Sequence, residues 1–373
     1  MRKWLSKQHG SFIGFCLRNR LGKTRFEARI IFFIMNILGR LTYYKNTYNG
    51  EARGHYIPQF ILKKFSVSDD QSKLGFVYAF SIENKSITDE KIVDAAQETD
   101  FYIFDDKQGN KSDYAEKQVY GNLEESMSRV VRYIQDIKKT QNFTFLESSI
   151  IATFIAHQIT RTPYFYENLH KFISFLVTEK NLDFKKELFV NDHEFNPKTV
   201  QNIIINNSFK VTQEELNSYS KKITLTGKSV ESITRLLSQI IASEISQNIH
   251  EKNILILDTT GTDNKFVISD NPVLFFENSR GWWNFPVWWD MKNINLTLAL
   301  PLTPCKAIIF HPKLRMDGEN FLRSKEDQLI FSRMINAYQF GSAHSKVFSD
   351  SKKYLEQQSQ YYSEVINQPF ELL

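Results

Sequence analysis

Three polar residues, His157, Gln158 and Arg161, fall on the apolar face of a helix that the residue pattern predicts over 146–162. At about 100° per residue they lie inside the arc of Ile150, Ile151, Phe154 and Ile155. An unpaired buried guanidinium costs on the order of several kcal/mol, so Arg161 needs a carboxylate. Asp270, Glu116 and Glu124 are the candidates. Asp270 follows the strand-like KFVIS and precedes Asn271-Pro272, which places a carboxylate at the end of a rigid element. His55 precedes a helix led by Pro58, and a helix N-terminus disfavours the imidazolium, leaving a neutral base. This set suits phosphodiester hydrolysis. His55 would be general acid or base, and Arg161 would stabilise phosphate charge. Asp270 and Glu124 would orient groups or hold a metal, while Gln59, Gln158, Asn271 and Asn336 would position substrate. The same residues also fit a non-catalytic binding or regulatory module, with Arg161 in a structural ion pair and Asp270 in an Asx turn. For Glu116 the structural alternative is a capping box with Asp113.

Other chemistries lack their signatures. LGKT (21–24) has Leu17 where a phosphate-binding loop needs glycine. GxSxG, HExxH and CxxC are absent, and the eight histidines show no metal-ligand spacing, which disfavours metallohydrolase and α/β-hydrolase chemistry and leaves the cofactor open. Cys16 and Cys305, the two cysteines, exclude a disulfide framework and suit a reducing cytoplasm.

Charge and aromatic residues point to partners. Residues 1–50 hold ten Lys/Arg against one acid, Glu27, so a basic arm of net +9 precedes a body of net −4. Such an arm attracts phosphate backbones or lipid headgroups. Its apolar run IIFFIMNIL (30–38) is too short for a transmembrane helix of ~20 residues and lies too far in for a signal peptide. It reads as a buried, membrane-surface or partner-binding helix. RGWWNFPVWWD (280–290) gathers Trp282, Trp283, Trp288 and Trp289. That cluster suits core packing, a protein-partner or homo-oligomer interface, or base stacking.

The elements that must position these residues follow from periodicity. Helices are predicted near 55–65, 113–138, 146–162, 164–180, 227–249 and 319–342. Strands are predicted at 76–82, 253–257, 265–269, 294–300, 306–310 and 346–348. ILILD and KFVIS, joined by TTGTDN, read as a β-hairpin. Scarce glycine (14) and proline (9) in 373 residues favour long helices over a many-stranded barrel. Helices early and strands late argue an α+β fold, a helical bundle packed on a small, mainly antiparallel sheet in the C-terminal third. The expected division is a basic extension over 1–50, one α+β domain over 51–350 and a tail or helix over 351–373.

HYIPQFILKKF (55–65), RTP (161–163), SDNPV (269–273) and PLTP (301–304) occur in that order. In this the chain resembles the bacterial domain-of-unknown-function family 4238, whose members open on an HYVPQFYLRRF-like segment. The resemblance runs from about Gly54 to Phe348 and leaves the first 50 residues outside. It brings no established activity. It does single out His55, Pro58, Leu62, Phe65, Glu116 or a nearby acid, Gln158, Arg161, Asp270, Asn271, Pro272 and Asn336.

Overall fold

The computed structural model describes residues 48–67, 75–105, 111–113, 115–136, 143–178, 189–191, 194–195, 228–250, 252–277, 296–311 and 325–366. The basic arm up to residue 47, with its IIFFIMNIL run, and the Trp-rich segment 280–290 lie outside the described residues.

The chain opens with β1 (Arg53–His55), the short helix α1 (Gln59–Leu62) and a 3-10 turn, Lys63–Phe65. Then come β2 (Phe76–Ser81), β3 (Ile87–Lys91), β4 (Gln97–Thr99), β5 (Phe104–Asp105) and β6 (Lys111–Ser112). A π-helical turn, Ala115–Tyr120, leads into α2 (Gly121–Asp136), followed by α3 (Phe145–Thr160) and α4 (Pro163–Thr178). After β7 (Phe189–Asn191) and β8 (Glu194–Phe195) comes the long helix α5 (Lys228–Ile249). The last third holds β9 (Asn253–Asp258), β10 (Ile268–Ser269), β11 (Leu274–Glu277), β12 (Leu296–Thr303), β13 (Lys306–His311), α6 (Lys325–Ser342), β14 (Lys346–Ser349) and α7 (Lys352–Ile366).

The fold is α+β, with its strands in small antiparallel sheets. One four-stranded sheet runs β11-β12-β13-β9 and the other β10-β14-β2-β3, while β1 pairs with β4 as a separate ribbon. Every residue of β12 and β13 is buried, which is why both read as continuous apolar runs rather than alternating ones. Helix α3 packs against α2, α4 and α5. It is therefore covered on several sides, and nearly all of Ile151–Thr160 is buried. Lys306 joins the helices to this first sheet. Its Nζ donates to the carbonyls of Ile134 (2.9 Å) and Gln135 (3.1 Å) in the last turn of α2 and pairs with Asp258 at 3.4 Å.

Three expectations are corrected. ILILD and KFVIS do not form a hairpin, because β9 pairs with β13 and β10 with β14, in different sheets. The chain between them leaves one sheet for the other, held by bonds from Thr259 N to Cys305 O and from Phe266 N to Pro304 O. The helix expected over 113–138 is α-helical only from Gly121; before it the backbone makes a π-helical turn. The capping box belongs to α3, where Thr144 and Glu147 satisfy each other's end of the helix, rather than to Asp113 and Glu116.

Candidate functional site: a closed polar network beneath an open charged surface

Arg161 ends α3 as its C-cap, two residues before Pro163 starts α4. Its residue is 2% exposed. The guanidinium donates from Nη1 to Glu124 Oε1 (2.7 Å), from Nε to the Tyr102 hydroxyl (3.2 Å) and from Nη2 to the His55 carbonyl. It lies over the ring of Tyr120, 4.3 Å from its centre, and 5.4 Å from that of Tyr102. Glu124, in the first turn of α2, is thus the carboxylate that pairs with Arg161. Tyr102 reaches this place because Gly54 lies under its ring; a Cβ there would sit 2.7 Å from Tyr102 Cδ2.

The rest of the first network holds the backbone of residues 55 and 56. Gln158 Nε2 donates to the Tyr56 carbonyl (2.6 Å), and the Tyr102 hydroxyl is 3.2 Å from the His55 carbonyl. The buried His55 imidazole has Nε2 3.2 Å from both the Val93 carbonyl and Gln59 Nε2. Burial pushes its pKa down, so the ring is neutral. His157 is pushed down to about 3, first by burial and then by Arg161. Glu116 sits on the π-helical turn with Oε2 buried and unbonded among the described residues. Burial raises its carboxyl to about 7, although Arg161 pulls the other way.

Asp270 belongs to a second arrangement. It is 0% exposed. Oδ1 accepts from His344 N (2.7 Å), and Oδ2 accepts from Ser345 N (2.7 Å), Ser345 Oγ (2.6 Å) and Lys346 N (2.9 Å). Burial raises its pKa and these bonds oppose the rise. SDNPV is the stretch where the chain passes from β10 in one sheet to β11 in the other. Backbone in such a crossing lacks ladder partners and must find others. Side chains of α6 supply them. Asn336 Oδ1 accepts from Val267 N (3.0 Å), and its Nδ2 donates to Lys265 O (2.6 Å). Gln339 Oε1 accepts from Ser269 N (2.7 Å), and its Nε2 donates to Pro272 O (2.8 Å). Asn271 Nδ2 donates to Ser342 O (3.1 Å). Asn336 therefore clamps the crossing strand.

The sequence-predicted site thus divides. His55, Gln59, Gln158, Arg161 and Glu124 form one network, and Asp270, Asn271 and Asn336 form another around the crossing. They touch at Thr162, whose hydroxyl donates to Asn271 Oδ1 at 3.5 Å. Gln339 and Ser342 were missed. Their signal was present, since Ser332, Asn336, Gln339 and Ser342 recur at helical spacing as a polar stripe.

Above these networks lies an open set of charges. The turn fixed by Asp270 carries His344, whose Nε2 is 3.3 Å from Glu167 Oε1 on α4; the His344 side chain is 32% exposed. The bond to Glu167 raises the imidazole pKa, and the bond to His344 lowers that of Glu167. Glu98 of β4 is surface-exposed, yet packed enough that partial burial raises its carboxyl. It lies within electrostatic reach of Arg235, Glu167 and His344. The Tyr56 phenol lies within reach of Asp270, Glu90 and Glu98. Neither the Glu98 carboxylate nor the Tyr56 hydroxyl is hydrogen-bonded to another described residue. No reading of spacing alone could have joined β1, β4, α4, α5 and the 343–345 turn.

Among the described residues, no three of His, Cys, Asp or Glu gather closely enough to hold a metal ion. Within the same residues, no helix is long and apolar enough to cross a membrane. No curated protein and no solved structure matches this chain. A family model does match, over residues 53–353, and it spans HYIPQFILKKF, RTP, SDNPV and PLTP: the chain belongs to the family described as protein of unknown function (DUF4238).

Proposed function

We propose that this protein is a hydrolase acting on phosphodiesters of nucleic acid, with its chemistry at the open Glu98, His344 and Glu167 rather than at the closed His55, Arg161 and Asp270. One observation carries this reading. His344 stands part-exposed on a turn whose backbone and hydroxyl donors converge on a buried carboxylate, and it pairs with the half-exposed Glu167 of α4. Groups held this way are preorganised for proton transfer. In this reading Arg161, Glu124, Gln158, Asn271 and Asn336 are positioning residues, and the basic arm draws in the polyanion. A cytoplasmic setting accords with the two cysteines. The test is cleavage of labelled RNA and DNA by the purified full chain, with His344→Ala as control. Loss of cleavage with unchanged melting supports the reading, and no cleavage by the wild type under any metal condition sinks it.

The second reading is a non-catalytic binding or regulatory module. It is favoured by the closure of the networks, since the Arg161 and Asp270 side chains are enclosed and their bonds largely fix backbone. Its partner surface would be Trp282, Trp283, Trp288 and Trp289, joining a protein or a second copy. Replacing the four with alanine would then abolish association.

A further inference from the structure

We propose that Ser149 and His250 form a second catalytic site, a serine–histidine dyad that hydrolyses small apolar carboxylic esters with good leaving groups. This activity is separate from the phosphodiester reading and does not rest on it.

Ser149 lies one turn into α3, and His250 directly follows α5. The Ser149 hydroxyl is 3.1 Å from His250 Nε2, the separation of a nucleophile from its base. Both residues are half-buried, so the pair is packed by the helices and still meets solvent. The two stand 101 residues apart in the chain, and no local motif announces them.

Their neighbours hold the pair in place. One turn further along the same two helices, Thr153 Oγ1 meets Ser246 Oγ at 3.1 Å, which fixes the register of α3 against α5. Thr153 Oγ1 also donates to the Ser149 carbonyl (2.8 Å). The Thr144–Glu147 capping box pins the first turn of α3, from which Ser149 follows. His250 N donates to the Ser246 carbonyl (3.1 Å), so the imidazole projects from a helix end. Groups supported this way keep their geometry for proton transfer.

The hydroxyl has one proton and two acceptors in reach. Its Oγ is 2.7 Å from the Phe145 carbonyl, the usual back-bond of a helical serine, and 3.1 Å from Nε2. With the imidazole proton on Nδ1, rotation about Cβ–Oγ carries the hydroxyl proton from that carbonyl to Nε2. The carbonyl end of α5 stabilises the imidazolium that then forms. The substrate class follows from the surroundings. The Phe145 ring lies 5.0 Å from the imidazole, edge to face, and Phe145 and Leu146 are 45% and 68% exposed. They offer an apolar seat for the acyl group beside the nucleophile.

In the reaction, Ser149 Oγ bonds to the ester carbonyl carbon as its proton passes to Nε2. The bond from that carbon to the alcohol oxygen breaks, and Nε2 gives the proton to the departing oxygen. Water then adds to the acyl-serine, one of its protons passing through Nε2 to Oγ. The products are a carboxylic acid and an alcohol, and water is the only co-reactant.

The experiment treats the full chain in EDTA with p-nitrophenyl acetate, p-nitrophenyl butyrate and a fluorophosphonate label, with the labelled peptide located by mass spectrometry. The expected result is a burst of nitrophenol, faster turnover of the butyrate, and label on Ser149. Ser149→Ala removes label and burst, and His250→Gln slows acylation about 10²-fold, both with little change in melting temperature. Leu146→Ser removes the preference for butyrate; a preference that survives would overturn the apolar seat. Label on another residue, or nitrophenol release that persists in Ser149→Ala, would overturn the dyad. So would a wild type that is neither labelled nor active, which would make the 3.1 Å contact a clamp between two helices and nothing more.

Discussion

Arg161 and Asp270 are both enclosed, carry opposite charges and do not pair with each other. The cation meets a carboxylate, a phenol, a carbonyl and an aromatic face. The anion meets three backbone N–H groups and one hydroxyl. The contrast follows from what each element offers. Arg161 sits where three helical segments and a strand ribbon converge, with carbonyls and side chains available. Asp270 sits at a sheet crossing, where a tight turn presents its amides. A buried charge does not require an opposite charge; it requires enough aligned dipoles.

The largest expected effect is at the anion. Asp270→Asn keeps the shape but sets an amide N–H against the converging donors, and it should destabilise by about 3–5 kcal/mol, read by urea unfolding. A loss below ~1 kcal/mol would mean the turn finds other acceptors, and the contrast would collapse. Arg161→Met should lose less, about 2–4 kcal/mol, because the Glu124 side chain is 26% exposed and can turn to water. If Arg161→Met proves the costlier variant, the ordering reverses. Gln339→Leu, which leaves Ser269 N and Pro272 O unsatisfied, should follow at roughly 2 kcal/mol and should not change the Arg161 region in chemical-shift maps.

The pH dependence sharpens the comparison further. Glu116 holds its proton to about pH 7 when folded and releases it near its ordinary value of 4.5 when unfolded. Between those values the folded state binds more protons, so this group's contribution to stability falls as pH rises through the window. Glu116→Gln should therefore gain in melting temperature relative to wild type between pH 5 and pH 8. His157 acts in the opposite sense: neutral when folded down to about pH 3, it favours unfolding as pH drops below its ordinary 6.5. The smallest effect is expected at the part-exposed Lys346–Glu90 pair. Lys346→Ala should cost below about 1 kcal/mol, since the Lys346 backbone bond to Asp270 is retained.

The sequence was most informative where one helix or strand decides the answer. Helix α3 runs from Phe145 to Thr160 against an expected 146–162, and the segregation of helices and strands was visible in periodicity alone. Arg161 was legible as a buried cation needing a carboxylate, because a guanidinium on an apolar face has few alternatives. Which carboxylate it met was not legible, since Glu116, Glu124 and Asp270 are separated from it by loops whose course no local pattern fixes. The π-helical turn disguised itself as α-helix, with only Gly121 hinting at a break. The TTGTDN segment has the composition of a hairpin turn; what it does, a passage between sheets, depends on carbonyls of Pro304 and Cys305 some forty residues on.

Strand β14 lies between β10 and β2 in its sheet. A ribosome delivers β2 and β3 first, β10 much later and β14 after all three. One of the two inner strands of that sheet is thus made after the other three, and the β2–β3 hairpin leaves the exit tunnel with one edge bare. Until Lys346–Ser349 emerges, that edge has no permanent neighbour, and the turn that Asp270 organises cannot exist. Completion of this sheet, and of the charged surface above it, therefore waits for Lys346–Ser349, long after β2 and β3 are made.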